Sequence, residues 1–283
     1  MLITGSFISM KYLTLNNVKV PALGLGTYRS TGPRSADVIR MAIEEYGYRH
    51  IDTAQFYENE REVGEGIRRS GVPREDIFLV TKVWPSNHAR DRFLPSVESS
   101  LRKLGADYVD LLLIHWPNAD LPLKTYLTEL EKARSLGMTR LVGVSNFNIA
   151  QLQETLDLGV PIVTNQVEFH PLIDQEKLRQ FMRSNGISLT AYSPLAQGLI
   201  PGNQLLQEIG VKYGKSASQV ALRWMIQLDE VMTIPKTGNP ARLEENMDIF
   251  DFELSETDMA QINALRQQNN RLVKDFHGAE WDS

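Results

Sequence analysis

The stretch LRKLGADYVDLLLIH at residues 101–115 places a helix-like segment, a glycine and a buried strand in direct succession. Leu101 and Leu104 continue an apolar stripe that begins at Phe93 and recurs at helical spacing. Gly105 stands where many helices end in the left-handed conformation, and an apolar run then leads to His115. The same order recurs, which predicts alternating helices and strands, with further stop glycines at Gly47, Gly71, Gly137, Gly159 and Gly186.

Eight apolar runs read as strands between these helices. Eight β-α units in a chain of 283 residues favour a closed (β/α)8 or TIM barrel of the α/β class over an open, doubly wound sheet. Residues 11–20 predict an N-terminal β-hairpin, and helix-like segments at 204–213 and 217–227 predict one or two extra helices on late loops. The strands are expected at Ala22–Leu25, His50–Asp52, Ile77–Thr81, Tyr108–Ile114, Leu141–Val144, Ile162–Val167, Ser188–Ala191 and Val231–Ile234.

Composition narrows the range of partners. The net charge is −5 without a run of basic residues, so neither nucleic acid nor a membrane surface is expected as a partner. The absence of cysteine excludes disulfides, thiolate nucleophiles and Cys-based metal sites. No secretion signal is recognisable, and a cytoplasmic monomer is expected. One domain is expected over residues 10–283, with residues 1–9 as an upstream extension or an expression remnant.

Several well-known motifs are missing. Residues 24–29 keep only the first two glycines of G-x-G-x-x-G, which argues against a Rossmann site. Gly214-Lys215-Ser216 resembles the end of a phosphate loop, but it follows a helix-like segment and is interpreted as a helix end. The five histidines lack paired metal-ligand spacing, and no serine stands in G-x-S-x-G. Neither a metal site nor the nucleophile elbow of a serine hydrolase is predicted.

Four polar residues lie in or just after three of the predicted strands. Asp52 and Tyr57 follow the second strand, Lys82 closes the third, and His115 closes the fourth. The active site of such a barrel lies at the C-terminal strand ends, so these side chains are expected to meet. Reduction of a carbonyl requires a hydride donor and an acid, and a tyrosine can be that acid if its phenolate is stabilised.

Lys82 is expected to stabilise that phenolate, while Asp52 holds the ammonium and keeps it charged. A neutral His115 could donate a hydrogen bond to the substrate oxygen. Each residue alone has an ordinary structural explanation, such as a surface pair or a bond to loop backbone. Their joint placement at three consecutive strand ends favours a proton-delivery site.

An ordered series of short motifs continues along the chain, and through it the chain resembles the aldo-keto reductases from about Lys11 onward. The resemblance implies a (β/α)8 barrel that binds NADPH without a Rossmann fold, with Tyr57 as the acid. It also implies that Lys82 and Asp52 tune Tyr57 and that His115 orients the carbonyl. The matching segments are Gly-Leu-Gly-Thr at 24–27, Ile-Asp-Thr-Ala at 51–54, Lys82 with Trp84, His-Trp-Pro at 115–117, Gly-Val-Ser-Asn-Phe at 143–147, Asn-Gln-Val-Glu at 165–168, Ala-Tyr-Ser-Pro-Leu at 191–195 and Ile-Pro-Lys-Thr at 234–237.

The resemblance also implies a set of cofactor contacts. Ser145, Asn146 and Gln166 match groups that bind the nicotinamide amide, and Tyr192 matches the ring on which the nicotinamide stacks. Each has an ordinary alternative, because such residues also cap helices or simply pack. The resemblance further places Thr27 and Asp52 at the cofactor edge, and Ser193 and Leu195 along the pyrophosphate.

Residues 236–246 match the family segment that holds the adenosine phosphate, with Thr237 where serine is commoner. Independently of the family, Lys236, Thr237 and Arg242 at the start of a short helix offer charge and donors to a 2′-phosphate. This favours NADPH over NADH. Glu245 and Asn246 would face the adenine, unless they are merely exposed helix residues.

The substrate is expected to meet an aromatic wall formed at the barrel mouth by Tyr28, Phe56, Trp84, Trp116 and, in the tail, Trp281, beside His115. The tail, from Asn270 through Phe276 and His277, resembles that of bacterial members that reduce 2,5-diketogluconate, methylglyoxal and related 2-oxo-aldehydes or keto acids. It could cover the pocket. These aromatic residues could equally be lid or core packing.

Three functions remain open from the sequence. The first is an NADPH-dependent reductase of aldehydes and ketones, of the alcohol dehydrogenase (NADP+) type. The second is an NADPH-binding, redox-sensing subunit with little turnover, since some family members act as channel-associated redox partners. The third is an isomerase or aldolase in which Lys82 forms a Schiff base.

Overall fold

The computed structural model describes residues 10–273 and 281–282. Within them lie ten strands and ten α-helices, which alternate one by one between residues 25 and 213. The strands are β1 (Tyr12–Leu15), β2 (Val18–Pro21), β3 (Leu25–Gly26), β4 (His50–Asp52), β5 (Phe78–Val83), β6 (Val109–Ile114), β7 (Thr139–Ser145), β8 (Ile162–Glu168), β9 (Ser188–Tyr192) and β10 (Val231–Thr233). The helices are α1 (Pro33–Glu44), α2 (Glu60–Arg69), α3 (Arg90–Leu104), α4 (Leu123–Ser135), α5 (Ile149–Asp157), α6 (Glu176–Ser184), α7 (Gln204–Tyr213), α8 (Ala217–Gln227), α9 (Pro240–Met247) and α10 (Glu256–Ala264).

Strands β3 to β10 form one parallel sheet in chain order, and the sheet closes on itself. Leu23 pairs with Thr233 and Gly26 with Lys236 across the seam between the first and last strands. The Gly24 N–H donates to the Thr233 carbonyl oxygen at 2.8 Å, and the Thr233 N–H donates to the Ala22 carbonyl oxygen at 2.7 Å. The predicted (β/α)8 barrel is confirmed.

Helices lie outside the barrel, where α3, α4, α6 and α8 pack directly on strands of the sheet. The six stop glycines between residues 47 and 186 all have positive φ, from 64° at Gly105 to 75° at Gly137. A side chain would strain the backbone there, and this explains why glycine marks the helix ends. Two helices, α7 and α8, lie between β9 and β10, and two more follow β10, in agreement with the predicted extra helices.

The predicted hairpin is present as β1 and β2, joined by Asn16 and Asn17 with φ of 44° and 65°. This left-handed pair is typical of a tight two-residue hairpin turn. The Pro21 carbonyl oxygen lies 3.1 Å from Nδ1 of His50, the first residue of β4, so the hairpin contacts the N-terminal end of the barrel. The opposite end stays available for a site.

Some strand bounds differ from the prediction. The first barrel strand is short, because residues before Leu25 pair only through the closing seam. Strand β5 continues past Lys82 to Val83, since backbone pairing with β6 does not stop at a polar side chain. Among the described residues, no helix combines the length and apolar character that spanning a membrane requires. Residues 1–9, Phe276 and His277 lie outside the described residues.

Candidate active site

The barrel brings Asp52, Tyr57, Lys82 and His115 together at the C-terminal ends of β4, β5 and β6. The Lys82 ammonium lies at the centre of the group, with no part of its side chain exposed. It forms an ion pair with Oδ1 of Asp52, donates to the Thr53 carbonyl oxygen at 2.8 Å, and donates to the Tyr57 hydroxyl at 3.3 Å. The His115 and Tyr57 rings meet edge to face, with centroids 5.5 Å apart.

Burial controls the protonation of these groups. It raises the pKa of Tyr57 well above its ordinary value, and the nearby Asp52 carboxylate adds to the effect. Burial disfavours the charged ammonium and therefore lowers the pKa of Lys82, although the Asp52 carboxylate opposes this change. Burial and the Lys82 charge hold the pKa of His115 well below its ordinary value, so the imidazole is neutral at physiological pH.

The cost of removing an anion from water sets the direction of the Tyr57 pKa, and burial outweighs the nearby Lys82 charge that was expected to favour the phenolate. The free protein therefore holds Tyr57 as a neutral phenol. Nδ1 of His115 is buried and has no hydrogen-bond partner among the described residues, and the residue lines the cleft.

A second layer of hydrogen bonds ties the predicted cofactor residues to this group. Gln166 donates to Oδ2 of Asp52 at 2.8 Å, and its backbone carbonyl accepts a bond from the Ser145 hydroxyl at 2.7 Å. Asn146 has a left-handed φ of 63° and donates to the His115 carbonyl oxygen at 3.0 Å. Its side-chain oxygen accepts a bond from the Tyr192 hydroxyl at 2.8 Å. These bonds connect the predicted cofactor residues to Asp52 and to His115.

Asp52, Tyr57 and His115 border a cleft of about 1100 Å³ at the barrel mouth. Lys82 lies behind the cleft wall rather than in it. All thirteen predicted cofactor residues line the cleft, namely Thr27, Asp52, Ser145, Asn146, Gln166, Tyr192, Ser193, Leu195, Lys236, Thr237, Arg242, Glu245 and Asn246. Leu272 and Val273, in the tail that was expected to cover the pocket, also line the cleft. Further lining residues were not expected from the sequence, namely Arg29, Pro194, Gln197, Gly198, Pro201 and residues 216–218.

The predicted aromatic wall is also present. Phe56 stacks on Trp84 with ring centroids 4.1 Å apart, and Trp84 meets the His115 ring edge to face at 5.1 Å. Tyr28 packs on Tyr57 at 5.1 Å, and Trp116 lines the same cleft. Trp281 is the exception, because it does not line the cleft and reaches it only by packing on Trp116 at 6.2 Å.

The far end of the cleft reaches the start of α9. Asn239 caps this helix by accepting a bond from the Ala241 N–H at 3.1 Å, and Pro240 occupies its first turn. Lys236 and Arg242 are exposed there and line the cleft, while Glu245 accepts a bond from the Ser216 hydroxyl at 2.6 Å. Cations beside a helix N-terminus fit a phosphate monoester. The residues present therefore fit a phosphorylated dinucleotide that extends from α9 to Tyr57.

Fold and site together define a class, that of (β/α)8 barrels with a buried Asp–Lys pair beside a tyrosine and a long cleft that reaches exposed cations. The model of the Aldo/keto reductase family matches residues 22–267, and the chain belongs to that family. A glyoxal reductase of Bacillus subtilis is 45% identical over 254 residues, which cover 89% of this chain and 91% of the relative. Members of the family use NADP(H), and the predicted cofactor class is confirmed.

Two solved structures agree with this assignment. A crystal structure provisionally named 2,5-diketo-D-gluconic acid reductase B superposes with a TM-score of 0.94 at 47% identity, covering 98% of this chain and 99% of that chain. An aldo-keto reductase of Bombyx mori, solved in complex with NADP, gives a TM-score of 0.86 at 36% identity, covering 94% and 95% of the two chains. The predicted family is confirmed.

Proposed function

We propose that this protein is an NADPH-dependent reductase that converts aldehydes and ketones to alcohols, with Tyr57 as the general acid. The proposed substrates are 2-oxo-aldehydes, keto sugars or keto acids. One observation carries the proposal: the Tyr57 hydroxyl, bonded by Lys82, opens onto the same cleft as the cations at the start of α9. The names of the glyoxal reductase and of the diketogluconic acid reductase structure support the same chemistry.

When bound, NADPH supplies the hydride. The protein's own groups manage the proton. Because burial keeps Tyr57 protonated, its phenol releases the proton only when an alkoxide develops beside it. The Lys82 ammonium, 3.3 Å away, then stabilises the phenolate that remains. Asp52 holds Lys82 in place, so it acts on the proton transfer through Lys82.

Neutral His115 orients the substrate by donating from Nε2 to the carbonyl oxygen. The aromatic wall of Tyr28, Phe56, Trp84 and Trp116 excludes water from the reacting carbon. Trp281 contributes to this wall through Trp116.

The remaining proposed contacts follow the cleft toward α9. Ser145, Asn146 and Gln166 hold the nicotinamide amide, and Tyr192 offers its ring for stacking. Thr27 with Asp52, and Ser193 with Leu195, border the middle of the cofactor. Lys236, Thr237 and Arg242 bind the 2′-phosphate, while Glu245 and Asn246 face the adenine. All of these residues line one continuous cleft.

A Schiff-base role for Lys82 is disfavoured because its amine lies behind the cleft wall, paired with Asp52. A redox-sensing subunit would bind NADPH yet turn over no carbonyl, so a substrate panel separates it from the reductase. We also propose that the protein is a cytoplasmic monomer with one domain over residues 10–283, which light scattering and cell fractionation test.

Tyr57→Phe tests the proposed chemistry directly. Removal of the acid should lower kcat for methylglyoxal reduction by about 10²–10⁴-fold. NADPH binding, followed by fluorescence, should remain intact because the ring is kept. Tyr126→Phe is the matched control, since Tyr126 is a buried phenol that does not line the cleft. Turnover of Tyr57→Phe close to that of the wild type would refute the proposed acid.

A further inference from the structure

Glu168, the last residue of β8, is a fully buried carboxylate that the proposed chemistry does not use. Its Oε1 accepts bonds from Nε2 of His170 at 2.8 Å and from the Leu272 N–H at 2.9 Å. Its Oε2 accepts a bond from the Val273 N–H at 2.8 Å. Two of the three donors thus belong to the backbone of a segment more than a hundred residues away along the chain.

The protonation of this group is well defined. Nδ1 of His170 accepts a bond from the Leu172 N–H at 3.2 Å, so the ring proton lies on Nε2 and points to Glu168. Burial alone would raise the pKa of Glu168, but the bonds from His170, Leu272 and Val273 outweigh it and lower the pKa. The carboxylate is therefore charged at neutral pH, with a donor at each oxygen.

The segment it holds, residues 269–273, forms part of the cleft. Leu272 and Val273 line the cleft that also contains Tyr57 and His115. The segment is fastened to the loop after β8, where Asn270 N–H donates to the Leu172 carbonyl oxygen at 2.7 Å and Asp174 N–H donates to Oδ1 of Asn269 at 3.2 Å. Glu168 accepts the hydrogen bonds donated by the backbone of the two cleft-lining residues themselves.

We propose that Glu168 is a positioning residue for the substrate pocket, because it holds the backbone of Leu272 and Val273 at the cleft wall. The inference rests on the proposed reductase function. Glu168 itself does not line the cleft, so it acts through these two residues. It also lies apart from the cations at α9, and replacing it by Gln leaves the backbone pairing of β8 with Tyr192 intact, so NADPH binding should be spared.

Glu168→Gln tests this role, because an amide keeps the shape but replaces one acceptor oxygen by an NH₂ group. Hydrogen exchange at the amides of residues 272 and 273 should accelerate about tenfold or more, as expected when a charge-assisted bond is lost. The KM for an aromatic aldehyde, which is large enough to reach the wall, should rise by about fivefold or more. We expect kcat and the Kd of NADPH to stay near the wild-type values.

The matched control is Asp258→Asn. Asp258 is also a buried carboxylate with several donors, but it lies on α10 and does not line the cleft. It should lower stability while leaving KM unchanged. If general destabilisation explained Glu168→Gln, both variants would lose active protein and neither would change KM. That result, or unchanged exchange at residues 272 and 273, would overturn the proposal.

Val273→Pro provides an independent variant if Glu168→Gln fails to fold. Proline removes the N–H that donates to Oε2 and leaves Glu168 in place, so hydrogen exchange at the Leu272 amide should accelerate as in Glu168→Gln. Unchanged exchange at Leu272 would overturn the positioning role. If the wild type reduces no carbonyl, the proposed function fails separately, and the exchange measurement still decides whether Glu168 holds the segment.

Discussion

At the scale of single residues, position along the strands was enough to find the candidate acid group. Asp52, Lys82 and His115 each stand where a strand ends or nearly ends, and parallel strand ends meet at one rim of a barrel. The protonation of these residues was not predictable in the same way. The pKa of Tyr57 rises because many surrounding atoms exclude water, and this enclosure exists only in the folded chain.

The pH dependence of kcat/KM tests this protonation. Reduction needs Tyr57 with its proton, and a pKa above the ordinary value of about 10 means that the proton is lost only at strongly alkaline pH. His115, with its pKa well below the ordinary value, stays neutral above about pH 6. We expect kcat/KM for methylglyoxal to be flat from about pH 6 to 9. A fall toward alkaline pH centred between pH 7 and 8 would contradict the Tyr57 assignment, and a fall toward acidic pH centred there would contradict the His115 assignment.

At the scale of elements, the sequence predicted helices and strands well wherever stop signals were local. Helices α7 and α8 were expected at 204–213 and 217–227, and they have those bounds. The ends of β3 and β5 were less accurate because backbone pairing with neighbouring strands decides them. Helix α9 begins with a side-chain cap from Asn239 and has exposed cations near its start. These residues stand within a few positions of one another, so the sequence alone predicts the feature.

Arg242→Ala tests the role of α9. If Arg242 binds the 2′-phosphate, its loss removes a charge-assisted interaction worth about 1.5–3 kcal/mol, and the KM for NADPH should rise by roughly tenfold to a hundredfold. The KM for NADH, which lacks this phosphate, should change little. Arg61→Ala is the control, because Arg61 is exposed on α2 away from the cleft. Equal changes for both cofactors would reject the assignment.

At the scale of the whole molecule, the barrel depends on a close seam between its first and last strands. A Cβ atom on Gly26 would lie 2.7 Å from the Ile234 carbonyl oxygen, closer than real contacts allow. The seam also borders the cleft, since Gly26, Ile234 and Lys236 line it. Closure of the barrel and formation of the site are therefore linked.

Gly26→Ala should open this seam. We expect the free energy of unfolding to fall by about 1–3 kcal/mol, as for other overpacked positions, in urea titrations followed by circular dichroism. Gly202→Ala is the matched control, because a Cβ at Gly202 would meet nothing within 4 Å and its backbone is not left-handed. It should be neutral or slightly stabilising. Equal stability of the two variants would show that the seam tolerates a side chain.

The hydrogen bonds of Glu168 join segments that are far apart in the sequence. Within Asn-Gln-Val-Glu at 165–168 it reads as the end of a strand, and nothing near it predicts its bonds to Leu272 and Val273, which are 104 and 105 residues away. Arg29 and residues 216–218 were missed for the same reason, since they join the cleft only through the closed barrel.

The hydrophobic periodicity and the stop glycines determined the order of strands and helices, and hence which polar residues stand at strand ends. These signals act over a few residues, through backbone conformation and the alternation of buried faces. Closure of the barrel, the hydrogen bonds around Lys82, the protonation of Tyr57 and the hold of Glu168 on residues 272–273 arose only in the folded molecule. Each depends on distances between distant segments and on the exclusion of water, which no local pattern contains.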